Sequence, residues 1–190
     1  MADRMPRRDF LVGGSLLAAG TLGTAAAAAA AGPSPMPLQQ VPSPEDRLRD
    51  LGLELPEAAT PVANYVTRVQ VGDLLFISGH GPRNQVGKVG GGVTLEEGYA
   101  AARDAGLRVL ATVRDELGTL DRVARVVQIL GMVNCAPDFY QQPQVINGFS
   151  DLLVEVFGEE LGRGARAAVG MVSLPRNISV EVQSTFQVRT

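Results

Sequence analysis

Apolar and polar residues alternate along the last stretch of the chain. Ile178, Val180, Val182, Ser184, Phe186 and Val188 share one parity, and Ser179, Glu181, Gln183, Thr185 and Gln187 the other. A period of two marks a strand with one buried face. The polar face carries a single charge, Glu181, where a solvent-washed strand usually carries several, so it suits an interface or a pocket. Just upstream, Ala165-Arg166-Ala167-Ala168-Val169 leads through Leu174-Pro175, which predicts two closing strands over about 167–173 and 178–188. Two more strands, Val66 to Val71 and Leu74 to Ser78, flank Gly72-Asp73, a hairpin signal. Arg122 to Val133 is β-branched and apolar, a long and central strand.

Helical periods fill the gaps. Thr94-Leu-Glu-Glu97 has capping-box spacing. From there Leu95, Tyr99, Ala102, Gly106, Val109, Val113 and Leu117 recur at steps of three and four, and Gly118 stops the run. A second helix starts near Pro143 and ends at Phe157-Gly158, burying Ile146, Phe149, Leu153, Val156 and Phe157. Asp46 to Leu55 is a short amphipathic opening, and Gly79 to Gly92, dense in Gly and polar residues, reads as a mobile loop. The order β-β-α-β-α-β-β predicts an α+β domain, a mixed sheet with two helices on one face.

The beginning of the chain is of another kind. Arg7-Arg8-Asp9-Phe10-Leu11 precedes an apolar stretch rich in Gly and Ala, which ends in an unbroken Ala run over residues 25–31. A charged start, a modest apolar segment and a small-residue end are the layout of an export signal. The paired arginines resemble the twin-arginine (Tat) type, read by the machinery that carries folded proteins across a membrane. The expected division is a signal over 1–31, cleaved near Ala31, a Pro-rich linker over 32–44 and a domain over 45–190. The apolar run has too little bulky side chain for a stable membrane anchor. A periplasmic or secreted location follows from this reading.

Charge and cysteine usage then narrow the chemistry. The formal charge of −3 becomes −4 once residues 1–31 are removed, and no basic run is left to attract nucleic acid. The lone Cys135 excludes an internal disulfide and suits a small buried residue at a strand end. With His80 the single histidine, neither a Ser-His-Asp hydrolase nor a multi-His metal site is easily assembled. There is no phosphate loop and no metal-spaced cluster, so no cofactor and no metal is expected. What remains is arginine, carboxylates, tyrosine and amides, a set suited to holding a small anion and positioning a water.

Asn64-Tyr65-Val66, Gly72-Asp73-Leu74-Leu75-Phe76-Ile77-Ser78-Gly79-His80, Asp121-Arg122-Val123, Ala165-Arg166-Ala167-Ala168-Val169, Leu174-Pro175 and Val180-Glu181-Val182 occur in that order. Together they resemble the RidA/YjgF family, also called endoribonuclease L-PSP-like, across essentially the whole mature domain. Gln141-Gln142-Pro143-Gln144-Val145-Ile146-Asn147-Gly148 and Asp151 to Gly158 resemble a less characterised branch of it. The resemblance implies a chorismate-mutase-like fold and a homotrimer with ligand clefts between subunits. It also implies hydrolysis of small enamines and imines, such as 2-aminoacrylate, to 2-oxo acids and ammonia.

By the same resemblance, Arg166 anchors the substrate carboxylate, a role that suits a guanidinium's paired charge-assisted bonds. Glu181 and the backbone carbonyl of Ala168 place the attacking water. Tyr65 stands at the cleft mouth, Gly79 allows close backbone approach, and Asn147 lies near the arginine. His80, where the family commonly has Gln, is a loop residue or an added pocket donor that titrates near neutral pH. Gly164 replaces a common Pro, and Gln183 a common second acid. Each residue has a plainer alternative: a salt bridge for Arg166, a solvated strand position for Glu181, a buried hydroxyl for Tyr65 and helix packing for Asn147. Two functions follow, an imine deaminase or a non-catalytic binding module for small carboxylates. The ribonuclease of the family's older name fits poorly with an acidic domain holding one histidine.

Overall fold

The computed structural model describes residues 41–189; the export-signal reading of 1–31 and all but the end of the linker reading lie outside them. Helix α1 (Pro44–Asp50) begins the described chain. Its cap is a reciprocal box in which Ser43 Oγ accepts from the Asp46 N–H and the Asp46 carboxylate accepts from the Ser43 N–H. The helix therefore starts at Pro44, inside the stretch expected to be linker, because Pro at the first helical turn loses no hydrogen bond.

The hairpin forms as expected, from β1 (Arg68–Val71) and β2 (Leu74–His80). The segment after it is not the mobile loop that its composition suggests. It holds two short parallel strands, β3 (Lys88–Val89) and β4 (Gly92–Val93), and is tied down at several points. Lys88 Nζ donates to Asn134 Oδ1 at 2.9 Å, the Gly87 N–H donates to the Asn177 carbonyl, and Val89 is fully buried. Gly and polar content alone do not report such anchoring.

Helix α2 (Leu95–Leu117) opens on the predicted Thr94–Glu97 capping box and stops at Gly118. Strand β5 (Val123–Asn134), helix α3 (Gln142–Phe157), a short α4 (Glu159–Gly162), strand β6 (Ala165–Met171) and strand β7 (Val180–Val188) complete the domain. The main sheet has the order β1-β2-β7-β5-β6. β7, the last strand in sequence, is the central one and runs antiparallel to both neighbours; β6 lies parallel to β5 at the edge.

Both long helices cover one face of this sheet. The inward parity of β7 is buried against them with Leu75, Ile77, Val126, Ile129 and Val133. Phe149 and Phe186 are the largest fully buried side chains, and each such residue contributes about 1.5–3 kcal/mol. α2 and α3 approach so closely that a β-carbon on Gly148 would land on the Tyr99 carbonyl oxygen. The other sheet face has no helix. Val69, Phe76, Leu130, Met132, Ala167 and Val169 share it with the polar row of β7, and Val69, Phe76 and Val169 are exposed.

Candidate functional site

Registry decides where the expected site residues fall. Arg166 pairs with Ile129, whose side chain is buried beneath α3, so the arginine points toward the helices. Its Nη1 donates to Asn147 Oδ1 at 2.8 Å and to Ser150 Oγ at 3.0 Å. Asn147 and Ser150 are three apart on α3 and hence on one helix face. Both acceptors are neutral, so the guanidinium is held without being neutralised. The cleft around it, about 420 Å³, also contains Asp151, Glu155 and Glu159. Those carboxylates are engaged elsewhere, with the Tyr99 hydroxyl, Arg103 and Arg163 respectively. Ala168 shares the helix-side face of β6 with Arg166, opposite Gly131.

Glu181 lies elsewhere. It pairs with Met132 and has the opposite parity, on the face without helices. It lines a second cleft of about 750 Å³, with Tyr65, Ser78, Gly79, Arg83, Arg108 and Arg176 among its walls. A β-carbon on Gly79 would land on the Glu181 carboxylate, so the close approach that this glycine permits is to Glu181. No cation bonds this carboxyl among the described residues; burial alone pushes its pKa above the ordinary glutamate value. A carboxyl desolvated in this way keeps its proton longer and suits proton exchange with a bound ligand. Tyr65 is half exposed at the same cleft.

His80 needs a correction on two counts. It ends β2 and is 3% exposed. Nδ1 donates to the Ser78 carbonyl at 2.8 Å, and Nε2 lies 2.9 Å from Thr112 Oγ1. With both ring nitrogens occupied, the ring braces the cleft wall and offers no donor to a ligand. Burial, aided by the nearby Arg108 charge, lowers its pKa, which keeps the ring neutral. In that state Nδ1 carries the proton and Nε2 is the acceptor facing Thr112, whose single hydroxyl proton is shared between Nε2 and the Arg108 carbonyl at 3.1 Å.

The chain thus gathers Tyr65, Gly79, His80 and Glu181 at one cleft, and Arg166, Asn147 and Ala168 at or beside another. Glu181 and Arg166 are separated by one intervening strand and three residues of register, roughly 14 Å between α-carbons by sheet spacings, and they face opposite sides. No small acid spans that within one chain. Ser150 and Arg108 were not among the expected residues. Ser150 is detectable only as the helical neighbour of Asn147. Arg108 has the spacing of a surface ion pair with Asp104, but Asp104 is bound by Arg83.

Known proteins place the chain. Residues 45–184 match the family described as "YjgF/chorismate_mutase-like, putative endoribonuclease". Protein TCP17 of Trypanosoma cruzi is 46% identical over 146 residues, covering 74% of this chain and 91% of that protein. A protein of unknown function from Agrobacterium tumefaciens is 40% identical in its crystal structure, with a TM-score of 0.71 over 77% of this chain and 92% of that one. A "putative endoribonuclease" from Shewanella oneidensis is 34% identical, with a TM-score of 0.74 over 77% of this chain and 99% of that one. By its sequence, its strand order and these relatives, the chain belongs to the YjgF/RidA-like family, with that family's chorismate-mutase-like α+β fold.

Proposed function

We propose that the protein hydrolyses small imines or enamines bearing a carboxylate, in clefts formed between copies of the chain in a homotrimer. The observation that carries this reading is the separation of Arg166 from Glu181: each has the chemistry of half a site, and neither half is complete alone. The half-apolar sheet face without helices supplies a surface through which copies associate.

In the proposed reaction, Arg166 of one copy, held by Asn147 and Ser150, takes the substrate carboxylate in paired bonds. Glu181 of the next copy accepts a proton as a water, also held by the Ala168 carbonyl, forms a C–O bond to the imine carbon. It returns that proton to nitrogen. Glu181 then carries the proton of the new hydroxyl to the amino nitrogen as the C–N bond breaks, leaving a 2-oxo acid and ammonia. Orientation of a water on an already reactive substrate accounts for most of the rate. Within the export reading, this occurs outside the cytoplasm, after passage through the Tat machinery.

Subunit mixing tests the proposal. Arg166→Ala and Glu181→Gln chains, each nearly inactive on 2-iminopropionate, are denatured and refolded together. Random assembly places an intact arginine opposite an intact glutamate at about one interface in four, so about a quarter of wild-type turnover returns. No recovery, from two variants that each assemble, refutes the shared site. Wild-type protein that binds 2-oxo acids through Arg166 but turns over no imino acid is a binding module instead.

A further inference from the structure

The cleft around Glu181 has a charge balance that one substrate carboxylate, held at Arg166, does not explain. α2 carries three arginines. Arg103 and Arg114 each grip a carboxylate with two nitrogens, Glu155 and Glu45 respectively. Arg108 is different. It is half buried, Nη1 donates to the Gly81 carbonyl at 2.7 Å, and no carboxylate among the described residues lies within 4 Å of it. It lines the cleft, as do Arg83 and Arg176. Asp104 already satisfies Arg83 through three bonds. Arg176 sits on the turn before β7 with a left-handed backbone (φ 56°), an uncommon conformation for a residue with a side chain, and it too has no carboxylate partner among the described residues. Glu181 is the one acidic residue lining this cleft, and it is not bonded to either arginine.

Removing a guanidinium from water without an anionic partner is costly. A site that does so keeps the charge available for a ligand. Spacing narrows the ligand further. The Glu181 carboxylate rests on Gly79, and Arg108 is bonded at Gly81, two residues on and so at most about 7 Å along the chain. In a five-carbon diacid, C2 and the far carboxyl carbon are about 4 Å apart, and a charge-assisted bond adds about 3 Å.

We infer that the ligand carries a second anionic group at the end of a short side chain, and that Arg108, assisted by Arg176 at the rim, receives it. The substrate class is a dicarboxylic 2-imino acid, and the product a dicarboxylic 2-oxo acid. This inference rests on the proposed function, from which its test is separable because it reads binding and needs no turnover.

Calorimetric titration of the full chain with 2-oxoglutarate, 2-oxobutyrate and pyruvate is the experiment. The diacid is expected to bind at least about tenfold more tightly than either monoacid. Arg108→Gln removes that preference, Arg108→Lys retains part of it, and Arg176→Gln lowers it about threefold. The readout is the ratio of affinities, which a merely structural role for Arg108 leaves unchanged while all three acids weaken together. An unchanged ratio in Arg108→Gln, or equal affinities in the wild type, overturns this inference and leaves the proposed function standing. If none of the acids binds, both fall.

Discussion

The two clefts solve opposite electrostatic problems. At the edge of the sheet, Arg166 is held by two neutral side chains on α3 while the surrounding carboxylates are occupied by other partners, so its positive charge is preserved. At the end of β2, Glu181 has no bonded partner and is instead pressed against glycine backbone, so burial makes it hold a proton more readily than an ordinary glutamate. One site leaves a charge uncompensated by choosing uncharged acceptors; the other makes a charge costlier by withholding water. Under the proposed function the contrast matters because an anion anchor must keep its charge uncompensated until the ligand arrives, whereas a proton carrier must change state.

Substitutions can break either half of this contrast. The largest effect is expected from Arg166→Ala, a loss of about a thousandfold in kcat/KM for imine hydrolysis with little change in Tm, because the side chain is exposed. Arg166→Lys keeps the charge but not the paired geometry and recovers only part. Next comes Gly148→Ala. Its added carbon meets Tyr99 backbone, which cannot yield, so α3 must shift, at a cost of about 3 kcal/mol in denaturant unfolding. This undermines the Arg166 cleft from below, since Asn147 and Ser150 ride on that helix.

Gly79→Ala makes an equally close clash, but with the flexible end of Glu181. The carboxylate swings away, so activity falls about thirtyfold while stability drops only about 1 kcal/mol. Two glycines with the same apparent crowding thus separate into one that holds the fold and one that holds the site. Ser150→Ala, which removes one of two acceptors from Arg166, is expected to cost about fivefold in KM with kcat nearly intact.

The smallest effect is a pH dependence. Burial raises the folded-state pKa of Glu181 above the unfolded value, so the protonated carboxyl favours the fold at low pH and this advantage is lost as pH rises through the raised pKa. Glu181→Gln removes that loss. Its Tm should match the wild type near pH 4 and exceed it at pH 8 by up to about 3 °C. An equal difference at both values excludes desolvation as the cause.

Residue pattern revealed the fold more readily than the site. The alternation of β7, the hairpin turn and the Thr94 capping box depend on neighbours in sequence, and all appear where the chain predicts them. β6 lies two residues ahead of the span that the sequence predicts, Ala165–Met171 against about 167–173. An edge strand exposed over most of its length has little reason to alternate. The cap of α1 was hidden among prolines that look like linker. The insertion of β7 between β2 and β5 is a long-range pairing that no local period encodes. Similarity of motif named Arg166 and Glu181 together, and only strand parity separates them by face. Ser150 and Arg108 escaped notice because a lone serine and a surface-spaced arginine look ordinary until their neighbours are known.

The strand order has a further consequence, for the timing of synthesis. The first six strands to be made, with both long helices, can form only separated ribbons: β1 with β2, β3 with β4, and β5 with β6. Each main ribbon keeps one lateral edge open until residues 180–188 arrive and slot between β2 and β5. On a translating ribosome the domain therefore stays unfinished until its final strand has cleared the exit, with adhesive edges exposed in the meantime. A nascent-chain stall before Val180 should leave a protease-sensitive chain, and a stall well after Val188 a resistant one. Chaperone demand for this protein would then scale with the length of that pause rather than with the stability of the finished domain.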